Sequence, residues 1–406
     1  MYLTREQVFW LLKTYGSPLY VYDKSTIIKR CQQLNSFAKR LSYATDRAVH
    51  MHYSTKANSN LEILKLIKDC GIWADCMSPK ELNLDLEAGF TPKELLYVCN
   101  NISKKEMEYV KSKDILICLD SVSQVRSWAN KFPKTKIMVR INPGTIGVGH
   151  SDKVITSGPD TKFGISEANL PELLQVADIY NLEIVGAHQH LGSLFLNDKI
   201  DQYVTGVSAF LEIIKRSFKE LSIIDLGGGF GVPYAPGEEP LNFDILYRKL
   251  VPVLKNFVEE YPSVKEFKFE PGRFIPCEAG LLLGTVTSIK EEYGTKWIGT
   301  DIGMGTLVRP SMYGSYHEIE VIEKNPCGIM VFANICGNVC ESGDVLGKNR
   351  TVNWPKVDDA VVIRNAGAYG YSMSSNYTGR NRPAEAMLTE NDCYCLIRPT
   401  QSLYDF

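Results

Sequence analysis

The chain has 406 residues, enough for about two or three domains and for a sizeable hydrophobic core. Hydrophobic residues make up 44% of it and charged residues 23%, which excludes a disordered or collagen-like chain. The 45 Lys and Arg residues nearly balance the 47 Asp and Glu residues, so the formal net charge is only −2. Because this charge would not attract nucleic acid or an anionic membrane, we expect small-molecule partners.

The N-terminal segment and the cysteines bear on the compartment. The first apolar run is short, is interrupted by charge and ends at Gly16-Ser17-Pro18, unlike a signal peptide. No stretch approaches the ~20 apolar residues of a membrane span. The 11 cysteines have irregular spacings and form no CxxC zinc signature. We therefore expect a reduced, cytoplasmic protein without membrane contact.

Strand-like runs alternate with amphipathic helical patterns through the first two-thirds of the chain, after a predicted helix near Lys24–Arg40. Helical patterns such as Leu61–Cys70 and Pro79–Ala88 separate most of the strands. The predicted strands are Val49–Tyr53, Ile72–Cys76, Leu95–Cys99, Ile115–Leu119, Ile137–Ile141, Ile184–Gln189, Ser222–Leu226 and Phe267–Glu270. Eight strands in such a series predict an α/β fold, a (β/α)8 TIM-like barrel.

The pattern changes after Arg273, where β-rich segments are separated by Gly, Asn and Pro and the long helical periods are missing. This predicts a second, all-β domain, a sandwich or a barrel, with its boundary near Pro276–Gly280. The early run Leu19–Asp23 is a candidate to pair with it. We expect a barrel domain of residues 26–275 and a β domain made of residues 1–25 and 276–406.

Barrel enzymes carry their chemistry at the carboxyl ends of the strands, and a lysine follows the first predicted strand. Alternation along an extended strand would place His50, His52, Ser54 and Lys56 on one face. A lone lysine is usually a solvated surface charge. In a partly dry barrel mouth, however, the amine can lose its proton and form a Schiff base.

Two histidines follow one another on one face at the end of the sixth predicted strand, His188 and His190. They fit a pair of hydrogen-bonded interior histidines. A metal site is the alternative, because His50 and His52 with this pair could offer four imidazoles. The neighbouring glycine-rich loops favour a phosphate over a metal.

Those loops follow the seventh and eighth predicted strands. The seventh ends in Gly227-Gly228-Gly229, and Glu270-Pro271-Gly272-Arg273 closes the eighth. Three glycines alone fit a tight turn. Barrels, however, often bind phosphate with these two loops, because glycine amides can approach an anion closely. At this location, and with Arg273 nearby, we predict a phosphate site.

The combined inventory points to a cofactor. An amine, an imidazole that can stack, a phosphate cradle and the carboxylate of Glu270 are what pyridoxal phosphate requires. The β domain adds Cys340, which a carboxylate, Glu341, follows directly. A thiol is a usable proton donor near neutral pH, although a loop with a free thiol is the plain alternative.

The chain resembles the diaminopimelate decarboxylase family, barrel-type (fold type III) pyridoxal-phosphate-dependent decarboxylases of basic amino acids. The blocks that carry the resemblance occur in the family's order and cover nearly the whole chain. They are HYSTKAN, KFGI, HQHLGS, DLGGGFGVPY, EPGR, RPSMYGSYHEI, CESGDVLGK and GAYGYSMSSNY. The resemblance implies a PLP-dependent carboxy-lyase that converts meso-2,6-diaminopimelate to L-lysine and CO2, as a lysine biosynthesis enzyme.

The resemblance also assigns roles where the motifs match. It makes Lys56 the Schiff-base lysine, His190 the imidazole on the cofactor ring, Glu270 the partner of the pyridine nitrogen and Cys340 the proton donor. The matching phosphate-loop residues are Ser193, Gly228, Gly229, Gly272 and Arg273. The matching substrate-binding residues are Arg273, Arg309, Tyr313, Glu341 and Tyr369, of which Tyr369 also contacts the cofactor and Glu341 recognises the distal ammonium.

Family members are usually head-to-tail homodimers in which the CESGD loop completes the partner's active site, so we expect a homodimer with shared sites. Two blocks depart from the family pattern. The usual Gly-Pro-Leu reads Gly337-Asn338-Val339, and the usual DAG-x-N reads Asp301-Ile302-Gly303-Met304-Gly305. These departures leave the phosphate and ring contacts intact but affect residues next to the substrate loop.

Three other functions stay open at this stage. The nearest is a sister decarboxylase for another amino acid with a distal polar group, such as N-citrylornithine or a polyamine precursor. A non-catalytic paralogue is the second, although Lys56, Glu270 and Cys340 together argue against it. The third is a metal-dependent barrel hydrolase, which the four histidines would serve.

Overall fold

The computed structural model describes residues 3–144, 156–389 and 393–402. Its contacts divide the chain into two compact units. The first, the barrel unit, consists of Cys31–Val232 and Glu239–Phe274. The second, the β unit, consists of Met1–Arg30, Pro233–Glu238 and Ile275–Phe406. Among the helices of the described ranges, none combines the length and the apolar character needed to cross a bilayer.

The chain begins with helix α1 (Arg5–Tyr15), strand β1 (Leu19–Asp23) and helix α2 (Lys24–Thr45). A capping box starts α1, because the Thr4 side chain and the Gln7 side chain each bond the other's backbone N–H. Helix α2 occupies the predicted position and continues five residues beyond Arg40, since no Gly or Pro interrupts it there.

Nine strands form the sheet of the barrel unit. They are β2 (Ala48–Ser54), β3 (Trp73–Cys76), β4 (Leu95–Val98), β5 (Leu116–Leu119), β6 (Lys136–Asn142), β7 (Ile165–Ser166), β8 (Glu183–His188), β9 (Ile223–Gly228) and β10 (Glu266–Glu270). All pairs are parallel, in the order β5-β4-β3-β2-β10-β9-β8-β6, and the β5–β6 pair closes the ring. The short β7 pairs only with β6. The predicted eight-stranded barrel is confirmed.

Helices connect most of these strands. They are α3 (Leu61–Asp69), α4 (Pro79–Glu87), α5 (Lys104–Ser112), α6 (Val122–Lys131), α7 (Leu170–Ile179), α8 (Ile200–Ser217) and α9 (Phe243–Glu260). Side-chain caps mark several starts: Asn60 accepts from Glu62 N, and Ser78 accepts from Glu81 N just before Pro79. Helices on the outside and side chains inside bury both faces of the strands, so the strand sequences are nearly continuous apolar runs.

The β unit contains one mixed sheet. Its remaining elements are β11 (Gly280–Glu292), β12 (Thr295–Thr300), α10 (Arg309–Tyr313), β13 (Ile319–Ile322), β14 (Met330–Cys336), β15 (Val345–Asn353), β16 (Ala360–Ile363), β17 (Ala384–Leu388) and β18 (Tyr394–Arg398). The order is β15-β14-β12-β11-β1-β17-β18, and β16 joins β11 to β13. Strand β1 runs antiparallel to β11 and parallel to β17, so the early LYVYD run does belong to this sheet. The unit is not purely β, because Val8 and Leu11 of α1 pack into its core.

Candidate active site

Lys56 lies in a single 3₁₀ turn, Thr55–Ala57, directly after β2. Buried side chains fix both sides of the lysine. Thr55 donates from Oγ1 to the buried carboxylate of Asp85 in α4, at 2.9 and 3.0 Å, and Ser54 donates to Asp75 Oδ2 at 2.5 Å. The lysine side chain is itself half-buried. The turn therefore holds the amine at the carboxyl end of the strand, as the sequence predicts.

Glu270 is the last residue of β10, and its carboxylate lies inside the barrel. Its Oε2 lies 3.0 Å from Nε2 of His188, the last residue of β8, and both side chains are buried. Its Oε1 is also buried and accepts from no N–H or alcohol group of the described residues. Burial raises the pKa of Glu270, whereas the positive charges of Lys56 and Arg140 lower it.

His190 makes a different kind of contact. The backbone N–H of Gly228, at the end of β9, donates to His190 Nδ1 over 3.0 Å. Burial holds the pKa of His190 well below its ordinary value, with Arg140 and Lys56 lowering it further. The ring is therefore neutral and carries its hydrogen on Nε2.

The loops after β8, β9 and β10 approach one another closely. A Cβ on Gly228 would lie 1.9 Å from the carbonyl oxygen of Glu270, and one on Gly229, where φ is +94°, would lie 2.5 Å from that of Gly192. Arg273 donates from Nη2 to Ser193 Oγ over 3.2 Å. Gly272 lies in the same loop as Arg273. Glycine is therefore required at positions 228 and 229. Here backbone amides and the guanidinium of Arg273 lie at the carboxyl ends of the strands.

The β unit carries the other predicted residues. Cys340 and Glu341 are both exposed, and the carboxylate of Glu341 accepts a hydrogen bond from the Tyr377 hydroxyl. The buried Asp344 shapes this loop, since its carboxylate accepts from Val339 N at 2.8 Å and from Met304 N at 2.6 Å.

The two departures from the family pattern therefore meet through Asp344. A second link joins the same two segments, because Asn338 donates from Nδ2 to the carbonyl of Asp301 over 3.0 Å. The Oδ1 of Asn338 is buried without a hydrogen-bond partner among the described residues. The substituted residues form one local structure at the base of the Cys340 loop.

Arg309, at the start of α10, is only 1% exposed. Its guanidinium donates to Tyr234 Oη at 2.6 Å and to Ser315 Oγ at 3.1 Å, so residues of its own unit hold it in place. Tyr313, at the end of the same helix, is half-buried. Tyr369 is half-buried too and has a left-handed φ of 56°, a strained conformation for an aromatic residue.

Known proteins resemble this chain along almost its entire length. Residues 25–277 match the family model of the pyridoxal-dependent decarboxylases, pyridoxal binding domain. The diaminopimelate decarboxylase of Methanothermobacter thermautotrophicus is 37% identical over 387 residues, covering 94% of this chain and 88% of that protein. This chain belongs to the diaminopimelate decarboxylase family.

Solved structures of the family agree in fold. One crystal structure of a diaminopimelate decarboxylase matches with a TM-score of 0.88 and 30% identity, covering 99% of this chain and 95% of that one. The Helicobacter pylori diaminopimelate decarboxylase, solved with L-lysine, matches with a TM-score of 0.86 and 28% identity, covering 98% of this chain and 97% of that one.

The cofactor of this pyridoxal-dependent decarboxylase family is pyridoxal phosphate, and the barrel residues fit it. The buried Oε1 of Glu270, to which no N–H or alcohol group of the described residues donates, is an acceptor for a protonated ring nitrogen. The neutral ring of His190 offers a flat face. Gly228 and Gly229 let the loops after β8, β9 and β10 come together at the carboxyl ends of the strands, where barrels often bind phosphate. The cofactor prediction is thereby supported from two directions.

The alternative of four metal-binding imidazoles does not fit this arrangement. His52 Nδ1 lies 3.2 Å from the carbonyl of Ala74, and its Nε2 lies 2.9 Å from Lys268 Nζ, so both ring nitrogens have partners. The ring of His50 stacks on Trp73 at 3.8 Å. His52 is thus engaged on both nitrogens in the barrel interior, whereas the His50 side chain is partly exposed and packs on Trp73.

Sequence reasoning overlooked Asp75, Asp85, Arg140 and Asp225, which surround the predicted residues. Burial and repulsion by Glu270 raise the pKa of Asp75 to about 6, and burial raises that of Asp225. The sequence does contain a signal for Asp225, because this residue comes directly before Leu226 and the three glycines. Polar residues of this kind inside apolar strand runs mark the interior face of a barrel.

Proposed function

We propose that the protein decarboxylates meso-2,6-diaminopimelate to L-lysine and CO2. The observation that carries the proposal is the joint presence, at one end of a closed barrel, of Lys56, Glu270, His190 and the obligate glycines. Relatives named diaminopimelate decarboxylase that match along 94% or more of this chain support the substrate. L-lysine, present in the Helicobacter pylori structure, is the product expected when diaminopimelate loses one carboxylate.

In the barrel unit, we assign Lys56 to hold the cofactor and to release it to the substrate amine. When bound, pyridoxal phosphate supplies a ring that accepts the electrons left by the departing carboxylate. Glu270 keeps a proton on the ring nitrogen, and the neutral His190 packs on the ring face. The phosphate group is assigned to the loops after β8, β9 and β10, through Ser193, Gly228, Gly229, Gly272 and Arg273.

In the β unit, we assign Cys340 to deliver the proton that replaces the lost carboxylate. Its exposure supports this role, since a proton donor must reach the substrate. Glu341 would bind the distal ammonium, and Arg309 with Tyr313 the distal carboxylate. Arg273 is assigned to a substrate carboxylate and Tyr369 to both substrate and cofactor.

We further propose that the protein is a homodimer with shared active sites, in which the Cys340 loop of one subunit serves the barrel of the other. A homodimer would account for a proton donor that lies in an exposed loop of the β unit. The irregular cysteine spacing is compatible with a reducing compartment, and we place the protein in the cytoplasm on that basis.

The test is a CO2-release assay on the purified, cofactor-loaded protein with meso-diaminopimelate, lysine, ornithine, arginine and N-citrylornithine. We expect meso-diaminopimelate to give the highest kcat/KM and L-lysine as product. Turnover of N-citrylornithine instead would keep the chemistry and overturn the substrate, a result that the substituted Asn338-Val339 pair would explain. No turnover of any of the five by a protein that binds the cofactor would favour the non-catalytic alternative.

A further inference from the structure

The contact between His188 and Glu270 is isolated from solvent. Their side chains are 1% and 4% exposed, and Nε2 of His188 lies 3.0 Å from Oε2 of Glu270. His188 is the last residue of β8 and Glu270 is the last residue of β10. In the barrel, β9 lies between these two strands. The contact engages one carboxylate oxygen; the other, Oε1, is buried and accepts from no N–H or alcohol group of the described residues.

The imidazole of His188 is neutral. Burial lowers its pKa to about 4, and the positive charges of Arg140 and Lys56 lower it further. An ionised Glu270 can only accept hydrogen bonds, so Nε2 of the neutral ring carries the hydrogen. His188 is thus a donor to Glu270 without a charge.

A second buried acid, Asp225, lies close to Glu270 and His188. A carboxylate oxygen of Asp225, one of Glu270 and a ring nitrogen of His188 all lie within 4.8 Å of one another. Burial and repulsion by Glu270 raise the pKa of Asp225, while His188 and Lys268 lower it. Two ionised acids this close are costly, and a side-chain hydrogen bond with Asp225 lowers the pKa of Glu270, which favours the proton on Asp225 and the negative charge on Glu270.

We infer that His188 is a positioning residue, which fixes one oxygen of Glu270 so that the other oxygen faces the ring nitrogen of the cofactor. The inference rests on the proposed function and deepens it. A neutral donor suits this task, because a histidinium would cancel the charge with which Glu270 holds the ring proton. Without the donor, the Glu270 carboxylate could rotate toward Lys56 or Arg140, whose charges both attract it.

The interaction of Glu270 with the ring nitrogen can be measured with two ligands, pyridoxal phosphate and 1-deaza-pyridoxal phosphate. In the second ligand, a C–H replaces the ring nitrogen. The ratio of their dissociation constants measures what Glu270 gains from the nitrogen. We expect His188→Leu to lower this preference by about ten- to a hundredfold, the worth of a charge-assisted hydrogen bond. Affinity for the deaza ligand, which cannot use Glu270 in this way, should change much less.

His188→Gln is the conservative variant, because its side-chain amide can donate from near the position of Nε2. We expect it to restore most of the preference, whereas His188→Asn, whose amide nitrogen lies nearer the position of Nδ1, should not. His52→Leu is the matched control: His52 is equally buried and neutral but contacts Ala74 and Lys268 instead. It should lower the melting temperature without changing the preference.

The outcomes separate the two proposals. A wild-type protein that binds neither ligand would contradict the proposed function itself. A wild-type protein that strongly prefers pyridoxal phosphate, with the same preference in His188→Leu, would overturn the positioning role alone. If His188→Leu does not fold, the comparison of His188→Gln with His188→Asn decides, and equal preferences in these two variants would overturn it.

Discussion

The backbone N–H of Gly228 donates a 3.0 Å hydrogen bond to Nδ1 of His190. This one contact joins the loop after β9 to the loop after β8 and determines the tautomer of the imidazole. The same glycine lies so close to the carbonyl of Glu270 that no side chain fits. The loop assigned to the phosphate, the histidine assigned to the ring face and the acid assigned to the ring nitrogen are therefore coupled through the backbone at Gly228.

The variant Gly228→Ala, compared with a control glycine variant, tests whether cofactor binding depends on this coupling. The new Cβ would lie 1.9 Å from the Glu270 carbonyl oxygen, so the two loops must move apart. We expect cofactor affinity to fall by more than tenfold, measured by absorbance titration, with a clear drop in melting temperature. Gly305→Ala is the control, since its nearest neighbour would be at an ordinary 3.5 Å. Equal cofactor affinity in both variants would contradict this account of Gly228.

Cys340→Ala should leave cofactor binding unchanged and slow turnover, because the thiol is assigned to the proton and not to the phosphate. In a dimer with shared sites, mixing the Lys56→Ala protein with the slowed Cys340→Ala protein in equal amounts should raise activity to about a quarter of wild-type activity through random subunit exchange. The exchange itself is checked with differently tagged subunits. Proven exchange without recovery would place Lys56 and Cys340 in the site of one subunit.

Glu341→Gln should lower kcat/KM for meso-diaminopimelate by tens- to thousands-fold. Glu341 is exposed in the single chain, but the proposed dimer with bound substrate would desolvate it, and removing one partner of a desolvated charge pair costs ~2–5 kcal/mol. Cofactor occupancy should stay the same. Tyr377→Phe provides the comparison, since it removes only the hydrogen bond that Glu341 accepts. Its effect should be smaller, and a Glu341→Gln protein with wild-type kcat/KM would remove this residue from substrate recognition.

The pH dependence of unfolding should carry the signature of His188. Burial lowers its pKa from 6.5 to about 4, so the folded protein binds this proton more weakly than the unfolded chain. The corresponding stability is fully present above pH 6.5 and is lost as the pH falls toward 4, by up to about 3 kcal/mol. In His188→Gln, this loss should disappear from urea unfolding curves recorded on cofactor-free protein. An unchanged slope between pH 6.5 and 4 would show that His188 does not titrate as proposed.

The barrel was predictable because each strand is an apolar run bounded by helical periods. Val49–Tyr53, predicted from the sequence, differs from the observed Ala48–Ser54 by one residue at each end. The residues at the strand ends could also be predicted, since in a parallel barrel all carboxyl ends meet at one edge. This rule selected Lys56, His190 and Glu270, which lie at or just after the ends of β2, β8 and β10, and their roles stay predictions.

Contacts between distant segments could not be predicted in the same way. The sequence gives no register that would place His188 beside Glu270, because 82 residues separate them and the pairing depends on barrel closure. The strand order of the β unit's sheet could not be predicted either, because β1, from the start of the chain, lies between β11 and β17. Arg309, predicted at a substrate-binding position, is bonded to Tyr234 from a short segment that lies within the barrel part of the sequence.

The central claim, that Lys56 holds the cofactor in this barrel, is tested most directly by borohydride reduction of the cofactor-loaded protein followed by peptide mapping with mass spectrometry. Reduction fixes the cofactor on the amine that holds it. We predict a phosphopyridoxyl modification on the peptide that contains Lys56, and none after prior replacement of Lys56 by Ala. Modification of a different lysine, or of none, would contradict the assignment of this site.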